Sequence, residues 1–143
     1  MRTQQHQPEK QSDRRGAAMV EMAMVAPLFF LLVFGLIEFA RMVMVQHTLS
    51  EAARAGCRKA ALVTTNDQAL VNAAIRSGLG ASMGTEEQIN ACQVTVTPSN
   101  FSGMDSETEI TTTVEVNYSE VSWIPTRFLG NSVLRGISTM KRE

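Results

Sequence analysis

Sixteen consecutive residues without a charged or hydrogen-bonding side chain, Met22–Ile37, lie between two carboxylates near the N-terminus of this 143-residue chain. When the preceding turn is included, Ala17–Ile37 provides 21 mainly apolar residues in which Glu21 is the only ionised group. A helix needs roughly 20 such residues to cross the hydrocarbon layer of a membrane. The sequence therefore predicts a transmembrane helix over residues 17–40.

The residues that flank the apolar segment predict its orientation. Arg14 and Arg15 directly precede it, and a cationic flank of this kind stays in the cytoplasm. Residues 1–16 are then a cytoplasmic basic leader, expected to be disordered, and residues 41–143 form an extracytoplasmic domain. Two alternatives are a buried helix of a soluble protein and a cleaved secretory signal. The second is disfavoured because residues 38–41 place charge and bulk where small residues should precede the cleavage site.

The composition excludes several classes of function. Lys and Arg total 13 against 14 Asp and Glu, and no basic stripe suits a nucleic acid. Neither histidine, His6 or His47, has a Cys or carboxylate at a metal-ligand spacing that the two cysteines, about 35 residues apart, could complete, and no glycine-rich phosphate loop is present. We therefore expect no enzymatic activity, no cofactor or metal, no small-molecule substrate and no nucleic acid partner.

The extracytoplasmic part has alternating helix and strand patterns. The clearest strand pattern surrounds Ile110, Val114 and Val116, which share one face while polar residues occupy the other. The predicted fold is α+β and pilin-like, with the long membrane-spanning helix followed by a small three-stranded antiparallel sheet and one extra short helix. The predicted elements are helices over residues 41–63 and 67–79 and strands over about 92–97, 108–118 and 133–141.

Small residues recur every four positions after the apolar segment. Ala52, Gly56 and Ala60 form a small-residue track that permits close packing. Its partner is either this chain's own sheet or a helix of another subunit, and both alternatives remain open at this point.

Two cysteines follow the apolar segment into an oxidising compartment. Cys57 lies on the helix stripe expected to face the sheet, and Cys92 lies on the inward face of the first strand. A disulfide between them would close a loop of about 35 residues and contribute roughly 3 kcal/mol. The alternative is two independent buried thiols.

The residues around the leader junction resemble a known processing site. A short basic leader that ends in Gly, followed by Glu at the fifth position and an apolar run, resembles the junction of a type IV prepilin. The longer pattern is similar to the TadE-like pseudopilins of bacterial Flp (tight adherence) pilus systems, and the resemblance covers about residues 14–62. The stretches that carry it are Arg14-Arg15-Gly16-Ala17-Ala18-Met19-Val20-Glu21-Met22-Ala23, Pro27-Leu28, Gly35-Leu36-Ile37-Glu38-Phe39-Ala40-Arg41 and Glu51-Ala52-Ala53-Arg54-Ala55-Gly56-Cys57-Arg58.

This resemblance implies a set of partners and site residues. A prepilin peptidase of the bacterial inner membrane would cleave between Gly16 and Ala17, and Glu21 would pair with the new N-terminal ammonium of its own or a neighbouring subunit. The other implied partners are pilins or pseudopilins of a Tad-type machine. The protein would be a single-pass component of the inner membrane, and its incorporation into the pilus itself is left open.

Two features limit what the resemblance implies. Flp major pilins usually carry Tyr directly after the Glu, whereas this chain has Met22, so a minor or accessory pseudopilin is the better interpretation. The alternative function is an uncleaved, single-pass, membrane-anchored binding module. In that case Glu21 is an interfacial carboxylate at the first turn of the membrane helix.

Overall fold

The computed structural model describes residues 10–62, 67–80, 82–99, 105, 107–122 and 132–142. The chain divides into two compact units, residues 1–37 and 38–143, and each is described separately. The elements are α1 (Lys10–Ala61), α2 (Gln68–Gly80), α3 (Glu86–Asn90), β1 (Gln93–Thr97), β2 (Glu109–Asn117), α4 (Tyr118–Val121) and β3 (Val133–Lys141).

The first unit consists of the N-terminal part of α1, and its apolar side chains are exposed. Met19 is 77% exposed and Leu31 is 71% exposed, and the large apolar residues around them are similarly uncovered. The helix is long and apolar enough to cross a membrane, and none of its most apolar window is buried within the protein. The core helix of a soluble protein, which was the first alternative, would be mostly buried, whereas this window is not buried within the chain.

Helix α1 begins at Lys10, inside the basic leader. The expectation that the whole leader is disordered is therefore wrong for residues 10–16, which extend the helix on its N-terminal side. Residues 1–9 lie outside the described part of the chain.

The second unit contains a three-stranded antiparallel sheet in the order β1-β2-β3. In the centre of the sheet, Val114 of β2 lies between Val94 of β1 and Gly136 of β3. Burial alternates strictly along β2, as the pattern of apolar and polar residues predicted. The predicted α+β, pilin-like fold with a long apolar helix and a small antiparallel sheet is thus confirmed.

The C-terminal part of α1 packs against this sheet at very short range. Leu49, Ala53 and Cys57 have no exposed surface. The backbone of β3 comes closest at Gly136, where a Cβ atom would lie 2.7 Å from the Ser50 amide nitrogen and closer still to the Leu49 carbonyl group. Only a residue without a side chain permits this backbone-to-backbone approach.

The small-residue track of α1 packs against α2 of the same chain. A Cβ atom on Gly78 of α2 would lie 3.1 Å from the Cα atom of Ala52, and one on Gly56 would overlap the side chain of Ile75. Ala52 and Ala60 are completely buried. The track is therefore covered within this chain, by α2, which neither alternative had named, and at Gly56 also by Thr112 of β2, as the alternative of the chain's own sheet expected.

Two one-turn helices were not predicted from the sequence. In α3, the Thr85 side chain caps the N-terminus by accepting a hydrogen bond from the Gln88 amide, and Glu86 and Glu87 lie in the first turn. This is a recognisable capping sequence, so α3 had a local signal. Helix α4 directly follows β2 and places Tyr118 and Val121 in the core.

Candidate functional site

The predicted cleavage site lies on an uncovered stretch of α1. Gly16 and Ala17 are helical and exposed, and nothing described lies within 4 Å of the position that a Cβ atom on Gly16 would take. Glu21 is also exposed and lies four residues after Ala17, so both occupy the same face of the helix. The structure thus places the three predicted residues within about one turn of each other.

A polar cluster lies where α1 leaves the apolar segment. We call Glu38, Arg41, Tyr118, Val121 and Ser122 the exit cluster. The Tyr118 hydroxyl donates a hydrogen bond to the Glu38 carboxylate at 2.7 Å. The backbone carbonyl oxygen of Glu38, at 3.0 Å, is a second possible acceptor for the same hydroxyl. The Ser122 hydroxyl donates to the same carboxylate oxygen. The exit cluster therefore attaches α4 to α1 through residues about 80 positions apart in sequence.

The arginine of the exit cluster is buried. Arg41 is only 5% exposed, and its Nε atom donates a hydrogen bond to the Val121 carbonyl at 3.3 Å. These contacts leave Glu38 half-buried and Arg41 buried, and no local pattern in the sequence indicates them.

The environment of Tyr118 keeps its hydroxyl protonated. Burial raises the pKa of Tyr118 to about 12, and the hydrogen bond to Glu38 and the negative charge of that carboxylate act in the same direction. The hydrogen bond from Ser122 and the positive charge of Arg41 lower the pKa by smaller amounts. Tyr118 is therefore a donor to Glu38 throughout the physiological pH range.

The two cysteines are free thiols in different surroundings. Cys57 is buried between α1 and β2, where its Sγ atom donates to the Ile110 carbonyl at 3.2 Å. Cys92 precedes β1, and its Sγ atom lies 3.4 Å from the Gln88 carbonyl and 3.7 Å from the Met83 sulfur. The disulfide predicted between them is therefore not formed in the structure, which has the alternative arrangement of two independent thiols.

We expect the two thiols to differ in their reactivity. Cys92 is half-buried, and burial raises its pKa to about 11, so iodoacetamide should modify it slowly near neutral pH; Cys57 should be modified only after unfolding. Mass spectrometry of the full chain in detergent micelles, with and without urea, measures both rates. If treatment with a reductant, without alkylation, increased the mass of the chain, the prediction would be contradicted, because that increase would reveal a disulfide.

The part of the chain that the structure describes contains no group of three or more His, Cys, Asp or Glu side chains placed to hold a metal ion.

Comparison with known proteins identifies the same helix. The family described as TadE-like protein matches residues 16–58. No curated protein and no solved structure gives a significant match to the chain. The matched residues include the leader junction, the apolar segment and the packed half of α1, whereas the sheet lies outside the match. Residues 16–58 are thus similar to the TadE-like family, which confirms the resemblance identified from the sequence.

Proposed function

We propose that this chain is a minor pilin or pseudopilin that acts in the assembly of a Tad/Flp pilus, as a structural component and not as an enzyme. The family match over residues 16–58 indicates a component associated with a Tad pilus. The observation that carries the proposal is the combination of an uncovered apolar helix with Gly16, Ala17 and Glu21 on its exposed N-terminal part.

Processing after Gly16 is the first element of the proposal. A peptidase must reach the Gly16–Ala17 bond and unwind the helix around it. The exposure of both residues allows access. Glycine also weakens a helix by about 1 kcal/mol relative to alanine, so unwinding is less costly there than at neighbouring positions. Cleavage would remove the four basic residues of the leader and leave an ammonium group on Ala17.

The role of Glu21 follows from that new charge. A carboxylate within the apolar segment costs a few kcal/mol unless it finds a cationic partner or reaches the interface. The Ala17 ammonium of the same chain would lie one helical turn away, and that of a neighbouring subunit could approach the same exposed side chain. Such a pair would offset the desolvation of both groups and fix the axial register between packed helices.

The N-terminus of the mature protein tests the processing step. In membranes of cells with an active prepilin peptidase, we expect the intact mass to correspond to a chain that begins at Ala17. Cells that lack the peptidase should retain Met1, which provides the control. Retention of Met1 despite an active peptidase would favour the uncleaved binding module, and a start beyond Ala40 would indicate a secreted protein.

Substitution of Glu21 tests the pairing step. We expect Glu21→Gln to leave membrane insertion intact and to reduce association with partner pilins by about tenfold, the equivalent of about 1.4 kcal/mol. In vivo cross-linking followed by co-purification measures the association. Glu51→Gln is the matched control because Glu51 is an exposed carboxylate on the same helix but outside the apolar segment. Normal assembly of the Glu21 variant would show that this carboxylate is only an interfacial residue.

A further inference from the structure

A cavity opens at the end of the sheet where β1 and β3 begin and β2 ends. It comprises about 380 Å³ of open space. The residues that line it all belong to the second unit and are Ala91, Gln93, Glu115, Val116, Asn117 and Val133. Small-molecule sites usually occupy about 300–1,000 Å³. A cavity at the lower end of this range suits a ligand built around a single ring.

Two of the lining side chains are primary amides without a partner in the described part of the chain. Asn117 occupies the N-cap position of α4, where an asparagine usually accepts a hydrogen bond from the first turn, yet its side chain makes no such bond. Among the described residues, the Gln93 side chain makes no hydrogen bond either. Each amide carries two N–H donors and one carbonyl acceptor. Both residues are exposed, so these groups are available to a ligand in the cavity.

The charged residues beside the cavity neutralise each other. Glu115 of β2 lies opposite Arg135 of β3, and the Arg135 Nε atom contacts the Glu115 carboxylate at 2.6 Å. Because the two charges cancel at this short distance, the pair gives the cavity little attraction for an ionic ligand. A carboxylate has about four acceptor positions, so Glu115 can accept a further hydrogen bond from a neutral ligand.

An apolar wall completes the cavity. Val133, at the start of β3, is 55% exposed, and Ala91 adds a partly exposed methyl group. The lining therefore combines two amides and a carboxylate with apolar surface. A matching ligand is neutral, carries several hydrogen-bond donors and acceptors, and has an apolar side.

We propose that this cavity binds one N-acetylhexosamine residue of a glycan. A pyranose ring is neutral and carries hydroxyl groups that both donate and accept, which match the two amides and the Glu115 carboxylate. The acetamido group adds one N–H, one carbonyl and one methyl group, and the methyl group can cover the exposed Val133 side chain. An extended peptide has similar donors and acceptors, but it spreads them along a strand instead of around one ring. This binding activity is additional to the proposed assembly role and does not depend on cleavage after Gly16.

Titration of the full chain with tri-N-acetylchitotriose tests this proposal. The protein is held in micelles of lauryldimethylamine oxide, a detergent without a sugar headgroup, and the amide chemical shifts of residues 91–93 and 115–117 report binding. We expect saturable shifts at these residues. Maltotriose, whose rings lack the acetamido group, should bind about tenfold more weakly, because the groups that contact the acetamido group are then left unpaired. Absence of saturable shifts, or equal affinity for both sugars, would overturn the proposal.

Two variants connect the binding to the lining amides. Asn117→Ala and Gln93→Ala should each weaken binding about five- to tenfold, because each removes hydrogen bonds to the ligand. The Asn117 side chain does not cap α4, so its replacement should leave the fold unchanged. Thr95→Ala is the matched control, because Thr95 is exposed on β1 but does not line the cavity. If both amide variants bind as tightly as this control, the sugar does not occupy the cavity.

A peptide is the competing occupant. Acetyl-trialanine amide provides backbone donors and acceptors without a sugar ring, and it is titrated in the same way. We expect no shifts at the lining residues at concentrations where tri-N-acetylchitotriose saturates the cavity. Tighter binding of the peptide than of the sugar would assign the cavity to an extended backbone and overturn the proposal. None of these results bears on the N-terminus of the mature chain, so the proposed function is tested separately.

Discussion

Replacement of Gly136 with Ala is expected to lower the free energy of unfolding of residues 38–143 by about 2–3 kcal/mol, the usual cost of overpacking a well-packed core. The added Cβ atom would lie 2.7 Å from the Ser50 amide nitrogen and even closer to the Leu49 carbonyl. These are backbone atoms in the middle of a helix, so they cannot rotate away as a side chain can. The overlap can be relieved only if α1 moves away from the sheet. That movement would loosen the packing of the core residues on both sides of the contact.

The unfolding of this variant can be followed through Cys57. This thiol has no exposed surface in the folded chain, so its alkylation in a short pulse at increasing urea reports the unfolded fraction. Gly84→Ala is the matched control because nothing described lies within 4 Å of its added Cβ atom. Gly136→Val should shift the midpoint further than Gly136→Ala. If the midpoints for Gly136→Ala and Gly84→Ala coincide, the close contact between α1 and β3 is not a determinant of stability.

The fold class could be predicted because its main signals are local. The charge-free run in α1 and the strict alternation along β2 are each visible within a short window, and each corresponds to a buried or uncovered face in the structure. Gly136 had a weaker signal, since an isolated glycine in a strand often marks a close backbone approach. Its partner, however, lies almost 90 residues earlier in the chain.

The arrangement of the core could not be predicted because it depends on how α1 is rotated on the sheet. That rotation directs Cys57 to the carbonyl of Ile110, while Cys92 contacts Gln88 and Met83. Both cysteines therefore point into the interior, as the periodicity indicates, yet they do not meet. The small-residue track likewise identified a close-packing face of α1 but carried no information about α2 as its partner.

The candidate site likewise has one part that could be predicted from the sequence and one part that could not. Gly16, Ala17 and Glu21 were identified from a contiguous motif, and the structure adds only their exposure and common helical face. The exit cluster joins residues about 80 positions apart, so neither Glu38 nor Tyr118 carries a local signal of the other. A charged residue at the end of an apolar helix is ordinarily assumed to reach water, and here a hydroxyl from α4 replaces that water.

Replacement of Tyr118 with Phe is expected to lower the free energy of unfolding at neutral pH by about 2 kcal/mol. The aromatic ring remains, so the core stays filled, but the Glu38 carboxylate loses one of its donors. Hydrogen bonds to charged groups contribute about 1.5–3 kcal/mol to stability. Because the Glu38 carboxylate is half-buried, water cannot fully replace the lost donor, and most of this contribution is lost. Pulsed alkylation of Cys57 at increasing urea concentrations measures the change in the free energy of unfolding. Ser119→Ala, at an exposed neighbouring position, is the control.

The same residue predicts a loss of stability at high pH. The pKa of Tyr118 is raised from 10.0 to about 12 in the folded chain, so the unfolded chain releases this proton first. The raised pKa of Tyr118 stabilises the folded chain fully below about pH 10. This stabilisation, about 2 kcal/mol, is lost as the pH rises toward 12. The Tyr118→Phe variant should lack this loss. Both chains should carry Cys92→Ala, because the raised pKa of Cys92 adds a similar dependence between pH 9 and 11.

The ionisation of Tyr118 can also be observed directly. It is the only tyrosine in the chain, so the ultraviolet absorbance of tyrosinate reports this residue alone, and Tyr118→Phe supplies the baseline. In the folded protein we expect the absorbance to rise only above pH 11, and in urea near pH 10. A folded-state midpoint near 10 would show that the hydroxyl is solvated and that Glu38 is not covered by α4.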